Sequence, residues 1–275
     1  MNEKRINFLV DLARVGVIIG ITLALVFLIV FLASSEPLAA IRSFFIGPFT
    51  SLRRIGNIIE AGAPLMFTAL AVILIFRSGL FSMISEGAFF IGITGAMIAA
   101  ISWRLSAPLH SVGAILFGGI CGAVVALIPA LLRMKWSVSE VVTSIMLNYV
   151  VQFFSIYLVN YHFREVESSS LASLLLQPTA KLPVIFPGTR IHVGILVALV
   201  ACFFIYLFLH RTSLGYAIRV VGDNEIFAQY SGINAAKTML LAQLFAGLIA
   251  GIGGAAELLG MYTRFKWTSS PGYGW

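Results

Sequence analysis

The sequence predicts an all-α polytopic membrane protein with about seven to eight transmembrane helices, one of them discontinuous near Glu86. Three observations carry this. Of 275 residues, 60% are hydrophobic and only 11% are charged, whereas soluble domains carry about 25% charged residues. Mean hydropathy is +1.00. Seven apolar runs, each near the ~20 residues that cross a hydrocarbon core, are separated by polar connections.

In chain order, Met1–Arg14 is polar and basic, with Lys4, Arg5 and Arg14. Val15–Ala33 is charge-free, too long for a signal-peptide core and not followed by a convincing cleavage site, so it reads as a retained first span. Ser34–Asn57 is a connection containing Glu36-Pro37, Gly47-Pro48 and Arg53-Arg54. Ile58–Phe76 is the second span and Met83–Ser102 the third. Val112–Leu132, rich in small residues, is the fourth, and Glu140–Asn160 is the fifth. Tyr161–His192 is the longest polar connection. Val193–His210 and Thr238–Met261 complete the set. The 18 Lys and Arg residues divide evenly between alternate connections, so the positive-inside rule leaves the orientation open.

Acids inside apolar runs are costly and mark cavities, partners or the water boundary. Glu60 and Glu140 read as interfacial, near the starts of their spans. Glu86 and Glu257 lie deeper, beside small residues, and are expected inside the bundle, either binding solute or holding a broken helix. Ser85-Glu86-Gly87 interrupts apolar sequence without ending it, the pattern of a discontinuous helix. Asn148 and Gln152 share a helix face at i, i+4, where amides either join helices or bind a polar solute. The pairs Gly16/Gly20, Gly118/Gly122 and Gly247/Gly251 allow close helix approach.

Arg211–Lys237 is a polar interval between two spans. Ile226, Tyr230 and Ile233 recur at i, i+4, i+7, with Phe227 beside them, as one apolar stripe on a helix of about two turns. Asp223 or Asn224 caps its start, Glu225 suits the positive end of the dipole, and Gly232 ends it. So short a helix is marginal alone, and its stripe is expected to dock in a partner's groove.

Other functions find no support. The net charge of +7 is spread thinly over connections, unlike a nucleic-acid footprint. Cys121 and Cys202 lie in apolar runs, and the four histidines lack metal-ligand spacing, so no metal site and no catalytic residues are expected. No GxxxxGK[ST] loop is present. If transport is ATP-driven, the ATPase is another subunit. The alternative is a proton-coupled secondary transporter that uses Glu86 and Glu257.

RSGLFSMISEGAFFIG (Arg77–Gly92) resembles the GLFNIGxEGQ motif of bacterial ABC importer permeases of the simple-sugar, nucleoside and branched-chain amino-acid type. Leu131–Val151 is similar to that family's GVNEVxxTxMLNYI segment, Arg219–Asn234 to its RAVGxNxxAAxxxGI loop, and Gly247–Trp275 to its AGxAGAxExxGxxxRF…SPGYGF stretch. Nucleoside-type permeases, which work with a basic membrane lipoprotein, are the most similar group. The resemblance implies a single permease domain over 1–275, a fold of roughly eight to ten helices and a cytoplasmic N-terminus in the bacterial plasma (inner) membrane. It implies an extracytoplasmic solute-binding lipoprotein, a second permease subunit and an ATP-binding subunit that uses ATP and Mg, with no cofactor in this chain.

It also implies a cytoplasmic coupling loop at 211–237, in which Gly222, Asp223, Asn224, Glu225, Ile226, Phe227, Tyr230 and Gly232 meet the ATPase. The solute path is expected along Phe81, Ser82, Ser85, Glu86, Gly87, Glu140, Asn148, Gln152 and Glu257. Ser82, Ala88 and Ser139 replace two asparagines and a glutamine of the motifs. That widens the expected solute from a nucleoside to a simple sugar or a riboflavin-like heterocycle. Family sequences continue beyond SPGYGF with further apolar segments, so a permease lacking its last spans is expected.

Overall fold

The computed structural model describes residues 3–167 and 170–274. Among them, seven helices are long and apolar enough to cross a membrane. All seven overlap the predicted spans, with ends shifted by a few residues. The chain divides into two compact units, Met1–Ile58 and Ile59–Trp275.

In the first unit, α1 (Glu3–Ala33) carries the span Ala13–Ala33. Val15, Ile18, Ile29 and Leu32 are all exposed on it, as suits a helix solvated by lipid. The connection predicted at Ser34–Asn57 contains a second helix, α2 (Pro37–Ile46), with Pro37 in its first turn, where a missing N–H costs nothing. A 3-10 turn, Gly47–Phe49, follows. Arg54 Nη1 donates to Gly47 O at 2.8 Å and to Thr50 Oγ1 at 2.9 Å. Arg53 and Arg54 therefore belong to the first turn of α3 (Leu52–Arg77) rather than to a loop.

The second unit is built around α4 (Ser85–Ser102), whose span is 83% buried. Small residues and aromatics on all its faces allow neighbours to close in from every side. Its heaviest packing is with α5 (Leu109–Trp136) and α10 (Ala235–Met261), which also pack closely on each other. At that crossing, a Cβ on Gly122 would strike the Gly247 carbonyl, and one on Gly251 would meet Gly118 O at 2.5 Å. The small-xxx-small pairs of the two helices thus interlock. α6 (Glu140–His162) and α7 (Gly194–Arg211) are peripheral and leave broad apolar faces bare.

Two irregular stretches matter for the site. The connection after α6 lies over the end of α4 and α5: His110 Nε2 approaches Ala99 O at 3.2 Å, and His110 Nδ1 approaches Thr179 Oγ1 at 2.8 Å. After α10, residues 262–274 fold back into the bundle. Phe265 N donates to Ser173 Oγ, and Thr68 Oγ1 donates to Tyr273 O at 2.8 Å.

The interval between α7 and α10 holds two helices where the sequence showed one. α8 (Ser213–Asp223) is amphipathic, burying Gly215, Ile218 and Val221, and is capped by Thr212, whose hydroxyl accepts from Gly215 N at 3.0 Å. α9 (Glu225–Tyr230) follows after the single residue Asn224. Ile233 lies beyond the end of α9, so the predicted i, i+4, i+7 stripe shortens to Ile226, Phe227 and Tyr230.

Candidate functional site

Between α3 and α4 the backbone at residues 78–84 is not helical. The interruption predicted near Glu86 therefore precedes it, and Ser85, Glu86 and Gly87 form the first turn of α4. This start is deep in the bundle. Asn148, its partner, stands about 12 Å along α6 from Glu140, and Thr68, which binds the neighbouring 262–274 segment, about 13 Å from the end of α3. At such depth, open backbone donors and acceptors need protein partners.

One face of α6 supplies them. Phe81 N donates to Glu140 Oε2 at 3.1 Å. Met83 N donates to Ser144 Oγ at 3.0 Å, and Gly87 N donates to Asn148 Oδ1 at 2.9 Å. Asn148 Nδ2 returns a bond to Met83 O at 2.8 Å. One turn on, Gln152 Oε1 accepts from Ser270 N at 3.3 Å. Residues 140, 144, 148 and 152 recur at i+4, a single polar stripe down α6. Sequence reasoning found three of the four and missed Ser144, although the same spacing pointed to it.

Glu86 holds the second irregular stretch. Its carboxylate accepts from Gly272 N at 2.8 Å and from Gly274 N and Ser270 Oγ. Ser85 Oγ donates to Gly274 O at 2.9 Å. Four hydrogen bonds from two adjacent residues of α4 thus clasp 270–274 against the broken helix. Ser82, buried, accepts from Gln243 Nε2 of α10 at 3.1 Å. Phe81 is exposed and stacks on Phe76 with ring centroids 5.0 Å apart.

Glu140, expected at the interface, is the first residue of α6 and is 5% exposed. Burial is tolerated because Arg133 Nη1 lies 3.1 Å from its Oε2. The pair borders an open cleft of about 410 Å³ lined also by Gly79, Phe81 and Ser137–Val141. At the same end of the bundle, Gly222 lies against the backbone of Arg77 and Gly79, fixing α8 beneath the break.

α9 stands next to it. Asn224 Oδ1 accepts from Phe227 N at 2.9 Å, so Asn224 rather than Asp223 is the cap. Glu225 opens the helix and accepts from Gln229 Nε2 at 3.4 Å. Gly232 has φ +79. It closes the helix with Gly232 N on Gln229 O and Ile233 N on Ala228 O, a Schellman turn. Ala228 is buried, whereas Ile226, Phe227 and Tyr230 are 67%, 59% and 89% exposed.

Glu257 is buried on α10, and its Oε2 has no hydrogen-bond partner among the described residues. Glu60, expected at the interface, is 4% exposed. His192 Nε2 lies 3.9 Å from Glu60 Oε1. Neither Glu60 nor His192 was among the expected site residues, since no local pattern links α3, α10 and the residue before α7. Nearby, burial first and then the carboxylates of Glu257 and Glu60 push the Tyr262 phenol above its ordinary value, with Arg190 acting in the opposite sense.

A family model described as branched-chain amino acid transport system / permease component matches residues 54–275. The chain is 28% identical to the nucleoside ABC transporter permease protein NupB of Lactococcus lactis subsp. cremoris, over 96% of this chain and 74% of that protein. It is 31% identical to the glucose ABC transporter permease protein TsgB13 of Haloferax volcanii, over 87% of this chain and 66% of that one. It is 30% identical to the guanosine ABC transporter permease protein NupP of Bacillus subtilis, over 78% and 63% respectively. The chain thus spans about two thirds of the length of the latter two. No solved structure matches it.

Proposed function

The chain belongs to the family of branched-chain amino acid transport system permease components, and on that premise we propose that it is the membrane-spanning permease subunit of an ATP-driven importer in the bacterial plasma membrane. The observation that carries this reading is α9: a capped helix with three large apolar side chains bare, seated on α8, in a sequence that holds no phosphate-binding loop of its own. Such a stripe fits the groove of an ATP-binding subunit that hydrolyses ATP with Mg. α9 is then cytoplasmic, as is the N-terminus. A second permease subunit and an extracytoplasmic solute-binding lipoprotein complete the assembly.

The solute is a nucleoside on this reading, since two of the three relatives above bear nucleoside or guanosine names. A simple sugar is the second choice, favoured by the glucose permease relative. The path runs past the break at 78–84. There Phe81, Arg133 and Glu140 border the open cleft, while Ser82 bonds Gln243 of α10 and Ser85, Glu86, Gly87, Asn148 and Gln152 take part in the backbone bonds of the break and of 270–274.

Phe227→Asp tests the coupling. It is expected to leave membrane insertion intact and to abolish co-purification of the ATP-binding subunit; undiminished co-purification would remove α9 from the interface. Uptake competition among nucleosides, riboflavin and glucose sorts the solute. Uptake that persists without ATP and collapses with an uncoupler would favour a proton-driven carrier instead.

A further inference from the structure

At both ends of its buried face, α8 meets the second unit backbone to backbone. Gly215, Ile218 and Gly222 recur at i, i+3, i+7 on one side of the helix, with Val221 beside them. A Cβ on Gly215 would strike the carbonyl of Phe208 and lie 2.7 Å from Leu209 Cα, both in the closing turn of α7. A Cβ on Gly222 would strike the carbonyl of Arg77, the last residue of α3. In return, a Cβ on Gly79 would lie 3.2 Å from Gly222 Cα. Ile218 and Val221, both buried, fill the space between the two contacts. Gly222 was expected among the residues that meet the ATPase, yet the side on which it lacks a Cβ faces α3.

The joint between α8 and α9 is a single residue bonded into both helices. Asn224 N donates to Val220 O at 3.0 Å and closes α8. Its Oδ1 accepts from Phe227 N at 2.9 Å and its backbone O accepts from Ala228 N at 3.0 Å, which opens α9. At the other end, Gly79 begins the non-helical stretch and lines the cleft with Phe81, Arg133 and Glu140. A contact made by side chains can be absorbed by a change of rotamer. Backbone packed on backbone has no such slack and passes a displacement on.

We propose that α8 is a rigid strut that carries movement of α9 to the helix break at 78–84, with Gly222 on Arg77 and Gly79 as the point of transfer. The proposal rests on the reading of α9 as the docking helix for an ATP-binding subunit. It gives Gly222 a positioning role inside this chain in place of a contact with that subunit. Gly215, against the end of α7, is the fixed end of the strut. A displacement of Gly79 moves Phe81, whose N–H is held by Glu140 Oε2 at 3.1 Å, and so reshapes the cleft beside the break. The coupling runs through a rigid element and close contacts, the physical form such transmission takes.

Gly222→Ala and Gly222→Val place a side chain against Arg77 O and lift α8 off the break. The assay is the assembled transporter in proteoliposomes, with labelled guanosine or glucose as the solute. Both variants are expected to retain the ATP-binding subunit and to hydrolyse ATP as the wild type does, with uptake lost, more completely for Val. Hydrolysis without uptake separates a broken strut from a misfolded chain, which would lose the subunit as well. Amide exchange at residues 79–83 is expected to change on ATP binding in the wild type and to stay constant in the variants. Variants that transport like the wild type overturn the strut alone. Folded variants that shed the ATP-binding subunit also overturn it, since Gly222 is then a docking residue. A wild-type chain that binds no ATP-binding subunit overturns the docking reading and the strut together. Should the variants not accumulate, or the wild type carry neither solute, wild-type exchange decides: an ATP-dependent change at 79–83 supports the strut and identical exchange overturns it.

Discussion

Asn148 shows how one side chain can hold a helix break. Its carbonyl oxygen accepts from Gly87 N and its amide donates to Met83 O, so the first turn of α4 and the break before it are both fastened to α6. Asn148→Ala leaves a buried donor and a buried acceptor open, at about 1–3 kcal/mol each. The expected result is a lowered Tm of the purified chain, with faster amide exchange at residues 81–88; an unchanged Tm would mean that the break is held elsewhere. The i, i+4 spacing of Asn148 and Gln152 was legible in the sequence, and so was the choice between joining helices and binding solute. What was not legible was that the partners are backbone groups of residues 83, 87 and 270, since nothing local marks which N–H groups a distant helix leaves open.

At the scale of elements, α8 and α9 together show why a polar interval between spans need not be a loop. The spacing of Gly215, Ile218 and Val221 gives α8 one buried face, yet the mix of Arg219 and apolar residues masks it in a simple hydropathy reading. α9 is shorter than the sequence suggested because Gly232 turns left-handed before Ile233 can join it. Gly232→Ala forces a Cβ into that conformation at about 1 kcal/mol. It is expected to speed hydrogen exchange at the Ile233 N–H, which closes the turn on Ala228 O. An exchange rate equal to that of the wild type would show that the turn tolerates a side chain.

For the second unit as a whole, the decisive contact is the glycine-lined crossing of α5 and α10 around α4. Gly251→Leu drives a side chain into Gly118 and Gly119, and an overpacked crossing costs about 3 kcal/mol or more. Loss of folded monomer in gel filtration is expected. Gly16→Leu on α1 is the control, because among the described residues nothing lies within 4 Å of a Cβ there; its Tm should match the wild type. If both variants behave alike, the crossing does not organise the bundle. The sequence marked all three small-xxx-small pairs equally. Only packing separates the two that interlock from Gly16/Gly20, which has no neighbour within 4 Å among the described residues.

The sequence by itself determined the solvent, the number and order of the spans, the glycine that ends α9 and the four-motif resemblance. Each of these depends on local composition or on spacing within one element, which a linear reading contains. Tertiary structure alone decided that Glu140 is buried against Arg133, that Glu86 clasps residues 270–274, and that Glu60 lies beside His192. Those are contacts between residues far apart in the chain, and their energetics depend on which groups lose water together. An acid near the start of an apolar run looks exposed until the fold covers it, as it does Glu60, whose neighbour is an imidazole packed against two glycines.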